Sequence, residues 1–404
     1  MLAQAWLGAD MMLNTLPNAN SVRTAVESSD WEYVDAETQN LTHNVHRYSG
    51  KFIPQIAARA IEILSKDSDT ILDPYCGSGT TLLEAALLGR NSIGIDLSPL
   101  AALIAKVKTT PIDVSALDEQ VTRLKKAVSE REALTSEPLP LFSSDTLDQS
   151  VGLEGNEKWN DEWFRKWFND QVLKDLLFLE EQIQNIADQD IRNLAIVAFS
   201  DILRKSSNAA SGYPNVMFDK RRPERPRPLR PFLRSLVKAS EMVRELQGTP
   251  LSKHHPKIIN ASSTDMPVEV DSVDAIVTHP PYIGSIPYAE YGLLSLKWLG
   301  HDPKSLDRAL TGGKRQTKDV VERFAADYQL FMKECHRTLK PGKFAFFMVG
   351  NPVVKGEKID LRKMTIDFAE SARLELVATA ERVGVNRRAN KMGSEFLLFF
   401  QNQL

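Results

Sequence analysis

Short runs of apolar, β-branched residues recur along the chain, and longer segments with the apolar spacing of helices separate them. Each run has the length of a buried strand. The runs span residues 70–72, 91–97, 257–260, 273–278 and 344–350. Strands that alternate with helices are typical of a mostly parallel sheet with helices on both faces. The pattern therefore predicts an α/β fold of the doubly wound, Rossmann-like kind.

The segment between the second and third predicted strands is roughly 150 residues long, which is far beyond an ordinary loop. Its apolar spacing predicts helices at Val114–Leu134, Val172–Ile186 and Ile191–Leu203. Three tryptophans recur every four residues between the first and second of these helices, at Trp159, Trp163 and Trp167. This spacing places them on one helical stripe, which we expect to pack in a core.

The first predicted strand ends in a turn with two glycines, Asp73-Pro74-Tyr75-Cys76-Gly77-Ser78-Gly79-Thr80-Thr81. Glycines supply the backbone freedom and the missing Cβ that a sharp turn beneath a ligand requires. The next strand carries Asp96 at its end, where a carboxylate bonds ribose hydroxyls in nucleotide-binding sheets. Leu82 replaces the third glycine of the dinucleotide fingerprint, and no Gly-Lys-Ser/Thr follows for a phosphate loop. The turn therefore favours neither a dinucleotide nor a nucleoside triphosphate.

A second motif, Thr278-His279-Pro280-Pro281-Tyr282, directly follows the predicted strand 273–278. Open parallel sheets bind ligands at the carboxyl ends of their strands, so this loop and the glycine turn should face one cleft. Two prolines keep the loop extended and remove two backbone donors, which leaves carbonyls free to accept hydrogen bonds. Tyr282 offers a face on which a flat ring can stack. The loop is suited to holding an aromatic ring and its amine.

Together the two motifs resemble those of S-adenosylmethionine-dependent DNA amino-methyltransferases, which methylate exocyclic nitrogens of cytosine or adenine. The resemblance implies a seven-stranded methyltransferase sheet with Leu374–Val383 and Glu395–Phe400 as its closing hairpin. It also implies three parts of the chain. These are an N-terminal segment with the cofactor-binding half (1–110), a mostly helical insertion for target recognition (111–255) and the catalytic half (256–404).

The resemblance implies S-adenosylmethionine as the cofactor and no metal. The segment that begins at Lys51 is similar to the family segment that folds over the methionine end of the cofactor. Thr264 and Asp265 fall where family members usually contact the amino group of the cofactor's adenine. The implied cofactor contacts are Lys51, Phe52, Pro54, Asp73, Pro74, Tyr75, Cys76, Gly77, Gly79, Thr80, Asp96, Leu97, Thr264 and Asp265.

The implied catalytic residues are His279, Pro280, Pro281 and Tyr282. We expect the Pro280 carbonyl to accept a hydrogen bond from the target amine and Tyr282 to stack on the base. His279 departs from the family, which usually has Ser, Asp or Asn there. Only a neutral histidine can accept a hydrogen bond, so we expect activity to depend on pH near 6.5.

Thr278 matches the Thr-Ser-Pro-Pro-Tyr of the cytosine-N4 branch better than the Asp-Pro-Pro-Tyr usual in adenine-N6 enzymes. The sequence therefore favours methylation of N4 of a flipped-out cytosine in double-stranded DNA. An adenine-N6 DNA methyltransferase, an RNA guanine-N2 methyltransferase and a non-catalytic nucleic-acid-binding protein on the same fold stay open as alternatives.

A proline-interrupted basic segment, Lys220–Arg234, lies near the end of the insertion of this chain of net charge −3. Clustered arginines suit phosphate contact even in an acidic protein, whereas the alternative is a solvated linker. We expect the prolines to keep the segment extended. The predicted DNA contacts are Arg221, Arg222, Arg225, Arg227 and Arg230 here, Lys314 and Arg315 in a later loop, and Arg387 and Arg388 in the closing hairpin.

Other features of the sequence bear on compartment and partners. No stretch is long and apolar enough to cross a membrane, and the first residues lack the basic start of a signal peptide. Cys76 and Cys335 are too few for a disulfide framework, which fits a cytoplasmic protein. His43 and His46 lack a carboxylate or thiol nearby in sequence, so we discount a zinc site. The resemblance leaves open a cognate restriction endonuclease, and a monomer or homodimer.

Overall fold

A computed structural model of the chain describes residues 17–136, 155–213, 215–284, 287–313, 319–383 and 393–404. Nine strands occur in these ranges: β1 (Thr70–Asp73), β2 (Asn91–Ile95), β3 (Lys257–Ile259), β4 (Val273–Thr278), β5 (Leu339–Gly350), β6 (Val353–Val354), β7 (Glu357–Lys358), β8 (Leu374–Val383) and β9 (Ser394–Asn402). Seven of them form one sheet in the order β3-β2-β1-β4-β5-β9-β8, and β6 pairs with β7 in a separate hairpin.

The five strands from β3 to β5 are parallel, and β9 is antiparallel to both β5 and β8. The order reverses between β1 and β4, because β1 leads to β2 on one side and β4 leads to β5 on the other. The predicted fold class, an α/β Rossmann-like sheet of seven strands with an antiparallel end, is confirmed.

The strands in the middle of the sheet are buried on both faces, which explains why they appear in the sequence as continuous apolar runs. In β5, Phe344 and Phe346 pack with the helix that precedes β1, whereas Ala345 and Phe347 pack in the core on the opposite face. Strand β5 begins earlier than predicted. Leu339 pairs with Val273 and Phe344 with Ala275, so the intervening Lys-Pro-Gly-Lys forms a bulge within the strand.

Fifteen α-helices lie in the described ranges: α1 (Ala19–Glu27), α2 (Pro54–Leu64), α3 (Thr80–Leu87), α4 (Pro99–Thr109), α5 (Val114–Ser136), α6 (Glu157–Asn160), α7 (Glu162–Trp167), α8 (Asp170–Gln184), α9 (Gln189–Ser206), α10 (Leu229–Arg244), α11 (Tyr288–Tyr291), α12 (Leu293–Trp298), α13 (Pro303–Ala309), α14 (Val320–Thr338) and α15 (Leu361–Ser371). Helices α1 and α2 cover one face of the sheet, and α14 and α15 cover the other. None of these helices is long and apolar enough to cross a bilayer.

Helices α5, α8, α9 and α10 form a helical layer that shares a core with α4 and α12. The prediction that the three tryptophans lie on a single helix is wrong, because the segment forms two short helices, α6 and α7. Asp161 ends the first and caps the second by accepting a hydrogen bond from the Trp163 N–H at 2.7 Å. The predicted packing role is confirmed, because Trp167 is buried and both other tryptophans pack against the same core.

Residues before the predicted cofactor half also belong to the sheet core. Val22 and Val26 of α1 are buried against the β8 side of the sheet, and the Trp31 ring stacks on Phe346 at a centroid distance of 6.4 Å. The segment thereby anchors the antiparallel end of the sheet.

Candidate active site

A hydrogen bond joins the carboxyl ends of β1 and β4, the point at which strand order reverses. The Thr278 hydroxyl donates to Asp73 Oδ1 at 2.6 Å, and both side chains are buried. Burial raises the pKa of Asp73 to about 6, against the hydrogen bonds that lower it. The glycine turn follows Asp73 and the Pro-Pro-Tyr loop follows Thr278, so this bond brings the two sequence motifs together.

The glycine turn is shaped by two left-handed residues. Gly77 has φ +48° and Gly79 has φ +81°, a region that favours glycine. The Gly77 N–H donates to Asp96 Oδ2 at 2.9 Å, which ties the turn to the end of β2. A Cβ on Gly79 would lie 2.9 Å from the Cβ of Ala105 in α4, so this glycine serves helix packing.

A cavity opens at the carboxyl ends of β1, β2 and β4. The cavity is bordered by the segment before α2, the glycine turn, the end of β2, the loop after β3, the Pro-Pro-Tyr loop and the end of α13. Its lining comprises Tyr48, Gly50, Lys51, Phe52, Asp73, Pro74, Tyr75, Cys76, Gly77, Ser78, Thr80, Thr81, Asp96, Leu97, Ser98, Ser262, Ser263, His279, Pro281, Tyr288, Ala309, Leu310 and Thr311.

Asp96 is held so that part of its hydrogen-bonding capacity stays free. Besides the Gly77 N–H, it accepts the Ser98 N–H at 2.8 Å. An ionised carboxylate has about four acceptor positions, so about two remain, which matches the two hydroxyls of a ribose. Burial raises the pKa of Asp96 to about 6.

The structure brings most of the predicted cofactor residues to this cavity. Four do not line it: Pro54, Gly79, Thr264 and Asp265. Pro54 is the first residue of α2, where a proline costs no helical hydrogen bond. Ser262 and Ser263 line the cavity in place of Thr264 and Asp265, because the chain turns away after Ser263 and leaves Asp265 exposed.

His279 and Pro281 line the cavity, whereas Pro280 and Tyr282 do not. The Tyr282 ring packs edge-on to His279 and lies against Gly350, where an added Cβ would be 3.2 Å from the ring. Its hydroxyl lies 2.8 Å from His279 Nε2. Burial and the nearby Arg382 lower the pKa of His279 to about 4.

Several polar residues near the cavity lie outside the predicted set of site residues. Tyr48 stacks on Tyr288 at a centroid distance of 6.0 Å, and both line the cavity. Lys108 of α4 is fully buried behind the glycine turn, where its ammonium donates to the Ser78 hydroxyl at 3.3 Å. A lysine among the apolar residues of a helix such as α4 is a sequence signal for a buried hydrogen bond of this kind, because lysine is rarely buried without a partner.

The histidines near the N-terminus have structural partners. His43 Nε2 lies 2.7 Å from Glu84 of α3, a carboxylate that is 41 positions away in the sequence. His46 Nε2 lies 3.1 Å from the Ser200 hydroxyl. Among the described residues, no group of three or more His, Cys, Asp or Glu side chains is placed to hold a metal ion.

The basic segment is not extended throughout, because α10 starts at Leu229 and includes Arg230 and Arg234. Pro231 is tolerated there since the first turn of a helix needs no internal donor. Several of its arginines are held within the protein. Arg221 pairs with Asp219, Arg225 donates to the Ala209 carbonyl, Arg227 pairs with Asp175, Arg230 pairs with Glu132, and Arg222 lies over the Phe218 ring. Lys314, Arg315, Arg387 and Arg388 lie outside the described residues.

Replacing Arg227 with alanine is expected to destabilise the helical layer by about 3 kcal/mol, the lower end of the cost of breaking a buried pair. Arg227 makes two hydrogen bonds, of 2.6 and 2.8 Å, to the fully buried carboxylate of Asp175. Arg131 lies 3.6 Å from the same carboxylate, so Asp175 keeps one cationic neighbour and the loss of stability stays at the lower end. Urea denaturation measures the effect. Arg222→Ala, at an exposed neighbour, should change stability by less than about 0.5 kcal/mol, and equal losses would contradict the assigned role.

The sheet order and the cavity at its switch point match the seven-stranded, Rossmann-like sheet that the resemblance implies. The DNA methylase family model N6_N4_Mtase matches residues 10–107. The chain is 27% identical over 384 residues to the type II methyltransferase M.MvaI of Kocuria varians, covering 80% of each chain. It is 26% identical over 343 residues to M.MjaII of Methanocaldococcus jannaschii, covering 65% of this chain and 64% of that one.

Solved structures also align with the chain. A SAM-dependent methyltransferase of Methanosarcina mazei aligns over 85% of this chain and 97% of its own, with 13% identity and a TM-score of 0.35. A putative DNA modification methylase of Thermus thermophilus, solved with S-adenosyl-L-methionine, aligns over 34% of this chain and 49% of its own, with 16% identity and a TM-score of 0.24. These scores are too low to add to the identification, which rests on the sequence relatives.

The family model and the sequence relatives confirm the resemblance to S-adenosylmethionine-dependent DNA amino-methyltransferases of the restriction–modification type. The family model over residues 10–107 and the type II methyltransferase relatives support a DNA methyltransferase of the N6/N4 amino-methyltransferase kind, with S-adenosylmethionine as its cofactor.

Proposed function

We propose that this chain methylates N4 of a cytosine flipped out of duplex DNA. The observation that carries the proposal is the 2.6 Å hydrogen bond between Asp73 and Thr278, which joins the glycine turn to the Pro-Pro-Tyr loop at one cavity. Thr278 in front of that loop supports cytosine as the target, by its likeness to the cytosine-N4 branch. The likeness to type II methyltransferases supports a cognate restriction endonuclease as a functional partner, and the two free cysteines fit the cytoplasm as the compartment.

The cavity residues fit S-adenosylmethionine without a phosphate-binding element. The free acceptor positions of Asp96 suit the ribose hydroxyls, and the segment around Lys51 borders the end proposed for the methionine. The Lys51 ammonium donates to the carbonyls of His43 and His46 at 2.7 and 2.9 Å, which holds a positive charge beside that end. When bound, the cofactor supplies an electrophilic methyl group on sulfur.

The remaining chemistry belongs to residues of the Pro-Pro-Tyr loop. An exocyclic amine is a weak nucleophile because its lone pair is delocalised into the ring. Acceptors on its N–H groups, from the Pro280 carbonyl and His279, localise that pair and aim it at the methyl carbon. With the cofactor bound, the methyl group would pass from its sulfur, which would leave as a thioether, to the amine nitrogen, and the proton that this nitrogen must then lose would pass to water. No thiol nucleophile is required, and burial raises the pKa of both cysteines, Cys76 and Cys335.

Base flipping requires a surface that holds the duplex beside the cavity. We propose that the exposed part of the basic segment contributes through Lys220 and Arg222, whose side chains are exposed. Arg221, Arg225, Arg227 and Arg230 have partners within the protein, so we assign them first to holding this segment in place. The same proposal extends to Lys314, Arg315, Arg387 and Arg388.

A second candidate, methylation of guanine N2 in RNA, has a specific observation behind it. The chain is 32% identical over 83 residues to the tRNA (guanine(10)-N2)-dimethyltransferase of Methanocaldococcus jannaschii, which covers 20% of this chain. The match to M.MvaI covers four times that share of the chain, so DNA is favoured.

The substrate class is tested by incubating the protein with cofactor tritiated on its methyl group and either duplex DNA of mixed sequence or unmodified tRNA. We expect tritium in the DNA and none above background in the tRNA. Asp73→Ala protein serves as the control for contaminating methyltransferases. Incorporation into tRNA alone would overturn the proposal in favour of the second candidate.

Replacing Asp96 with alanine is expected to weaken cofactor binding by about 1.5–3 kcal/mol, the usual contribution of hydrogen bonds to a charged group. Calorimetry with S-adenosylmethionine measures the loss. Asp265→Ala is the matched control, since Asp265 is exposed and does not line the cavity. Unchanged affinity in folded Asp96→Ala would refute the ribose assignment, and a loss in Asp265→Ala alone would move the cofactor towards that loop.

A further inference from the structure

A chain of hydrogen bonds leads from His279 away from the cavity and into the antiparallel end of the sheet. His279 Nε2 lies 2.8 Å from the Tyr282 hydroxyl, which donates to Glu395 Oε1 at 3.4 Å. Glu395 Oε2 lies 2.6 Å from an Arg382 nitrogen. Glu395 belongs to β9 and Arg382 to β8, and the two residues are directly paired across the strands.

Arg382 is fixed by the N-terminal segment as well as by Glu395. Its Nε donates to the Trp31 carbonyl at 3.0 Å, and a terminal nitrogen donates to the Glu32 carbonyl at 3.1 Å. Arg382 is 6% exposed and Glu395 is 5% exposed, so water does not compete for these bonds. Burial raises the pKa of Glu395, whereas the guanidinium of Arg382, which always carries its charge, lies 2.6 Å away and favours the ionised carboxylate.

The direction of each hydrogen bond in this chain follows from the partners. A carboxylate only accepts, so the Tyr282 hydroxyl must donate its single proton to Glu395. The Tyr282 oxygen is then an acceptor towards His279, and Nε2 must carry the proton of a neutral imidazole. The other ring nitrogen, Nδ1, is left with a lone pair.

The Nδ1 lone pair is not taken up by a bond within the described part of the fold. Within the described part of the chain this nitrogen has no hydrogen-bond partner, and it is not among the buried polar atoms left without one. His279 itself lines the cavity. Its pKa of about 4 keeps the ring neutral at physiological pH.

We infer that Glu395, acting through the Tyr282 hydroxyl, fixes His279 in the Nε2–H tautomer and thereby makes Nδ1 the acceptor for the target amine. This inference rests on the proposed function. Ser, Asp and Asn, the usual residues at this position, carry an acceptor oxygen in any state, whereas a histidine accepts at only one nitrogen. Tyr282, Glu395 and Arg382 are positioning residues in this arrangement, and His279 is the residue that contacts the base.

The tautomer can be measured in the protein alone. In wild-type protein with ¹⁵N-labelled histidine, NMR at pH 7 should show His279 with a protonated Nε2 and an unprotonated Nδ1. His279→Asn assigns the signals by their absence. Tyr282→Phe should move the proton towards Nδ1, because it removes the acceptor of the Nε2 proton. Glu395→Gln should do the same, because the glutamine oxygen faces Arg382 and its amide then donates to the Tyr282 hydroxyl, which turns that hydroxyl into a donor towards Nε2. A wild-type signal from protonated Nδ1, or a tautomer unchanged in both variants, would overturn the inference.

A kinetic comparison separates positioning from general damage. Tyr282→Phe should lower the single-turnover rate by about tenfold or more in the His279 background, since a misdirected tautomer removes the acceptor. In a His279→Asn background the same change should cost less than about twofold, because an amide oxygen accepts without help. Cofactor affinity should stay unchanged throughout. Equal losses in the two backgrounds would overturn the inference.

Tyr328→Phe controls for the loss of a buried tyrosine hydroxyl, since Tyr328 is fully buried, bonds Thr365 and lies outside the cavity. It should leave the rate unchanged. The two tests also separate this inference from the proposed function: a His279→Asn protein that transfers no methyl to DNA bears on the function, whereas the NMR result bears on the tautomer alone.

Discussion

Replacing Asp73 with alanine is expected to lower the single-turnover rate of methyl transfer by about 100-fold, the usual cost of misplacing reacting groups by about 1 Å. Asp73 accepts hydrogen bonds from the Thr278 hydroxyl at 2.6 Å and from the Tyr75 N–H at 3.1 Å. The substitution therefore releases the glycine turn and the Pro-Pro-Tyr loop from each other and leaves a buried hydroxyl without its acceptor. Rapid-quench measurement with saturating cofactor and duplex DNA gives the rate.

The chain offers a matched control at the opposite end of the same two strands. Asp274 of β4 accepts the Thr70 N–H of β1 at 3.1 Å and pairs with Lys340 at 2.8 Å. Asp274→Ala removes a similar cross-strand carboxylate, but away from the cavity, so stability should fall while the rate of the folded protein stays near wild type. Equal rate losses in both variants would show that the Asp73–Thr278 bond serves the fold and has no particular role in the site.

The second prediction is a separation of two pH effects. A histidine with an ordinary pKa would give the chemical step an acidic limb near 6.5. Burial and Arg382 lower the pKa of His279 to about 4, so His279 should give the single-turnover rate at saturating cofactor no acidic limb between about pH 8.5 and 5.5. A fall in rate below about pH 6 would come from Asp73, whose pKa burial raises to about 6. The pH dependence near 6.5 that the sequence suggests is therefore not expected. His279→Ser should follow the same profile over this range.

The affinity for the cofactor, in contrast, should fall at acidic pH. Burial raises the pKa of Asp96 to about 6, so this carboxyl is ionised above that pH and protonated below it. Protonation removes acceptor positions, and affinity should therefore fall towards tenfold per pH unit as the pH drops below about 6. Calorimetry between pH 5 and 8 measures this, and Asp96→Asn should bind weakly with a nearly flat profile. Two results together would contradict the roles given to Asp96 and His279. These are a wild-type cofactor affinity that does not change with pH, and a single-turnover rate that falls below a pKa near 6.5.

Much of the fold was predictable because its signals are local. The strands β1, β2, β3 and β4 are apolar runs that end at turn or acidic residues, and their observed bounds differ from the predicted ones by two residues at most. The glycine turn and the proline pair restrict the backbone by themselves, which explains why both motifs lie at the cavity edge as expected. Helix α5 likewise follows its amphipathic pattern.

The parts that were missed depend on contacts between distant segments. Asp73 and Thr278 are 205 positions apart, and no local pattern shows that one accepts from the other. The partner of Arg227 is Asp175, 52 positions away, so an arginine that resembles a phosphate contact in sequence is an internal ion pair in the fold. His279 shows the same limitation, since its proton is placed by Glu395 through Tyr282, 113 positions away from that carboxylate.

The central claim, transfer to N4 of cytosine, is tested most directly by identifying the methylated base. Duplex DNA of mixed sequence is incubated with the protein and S-adenosylmethionine, digested to nucleosides and separated by chromatography with mass detection. We predict N4-methyldeoxycytidine with the wild-type protein and a loss of about 100-fold with Asp73→Ala at equal time, for the geometric reason given above. N6-methyldeoxyadenosine as the main product, with no methylated cytosine, would contradict the claim.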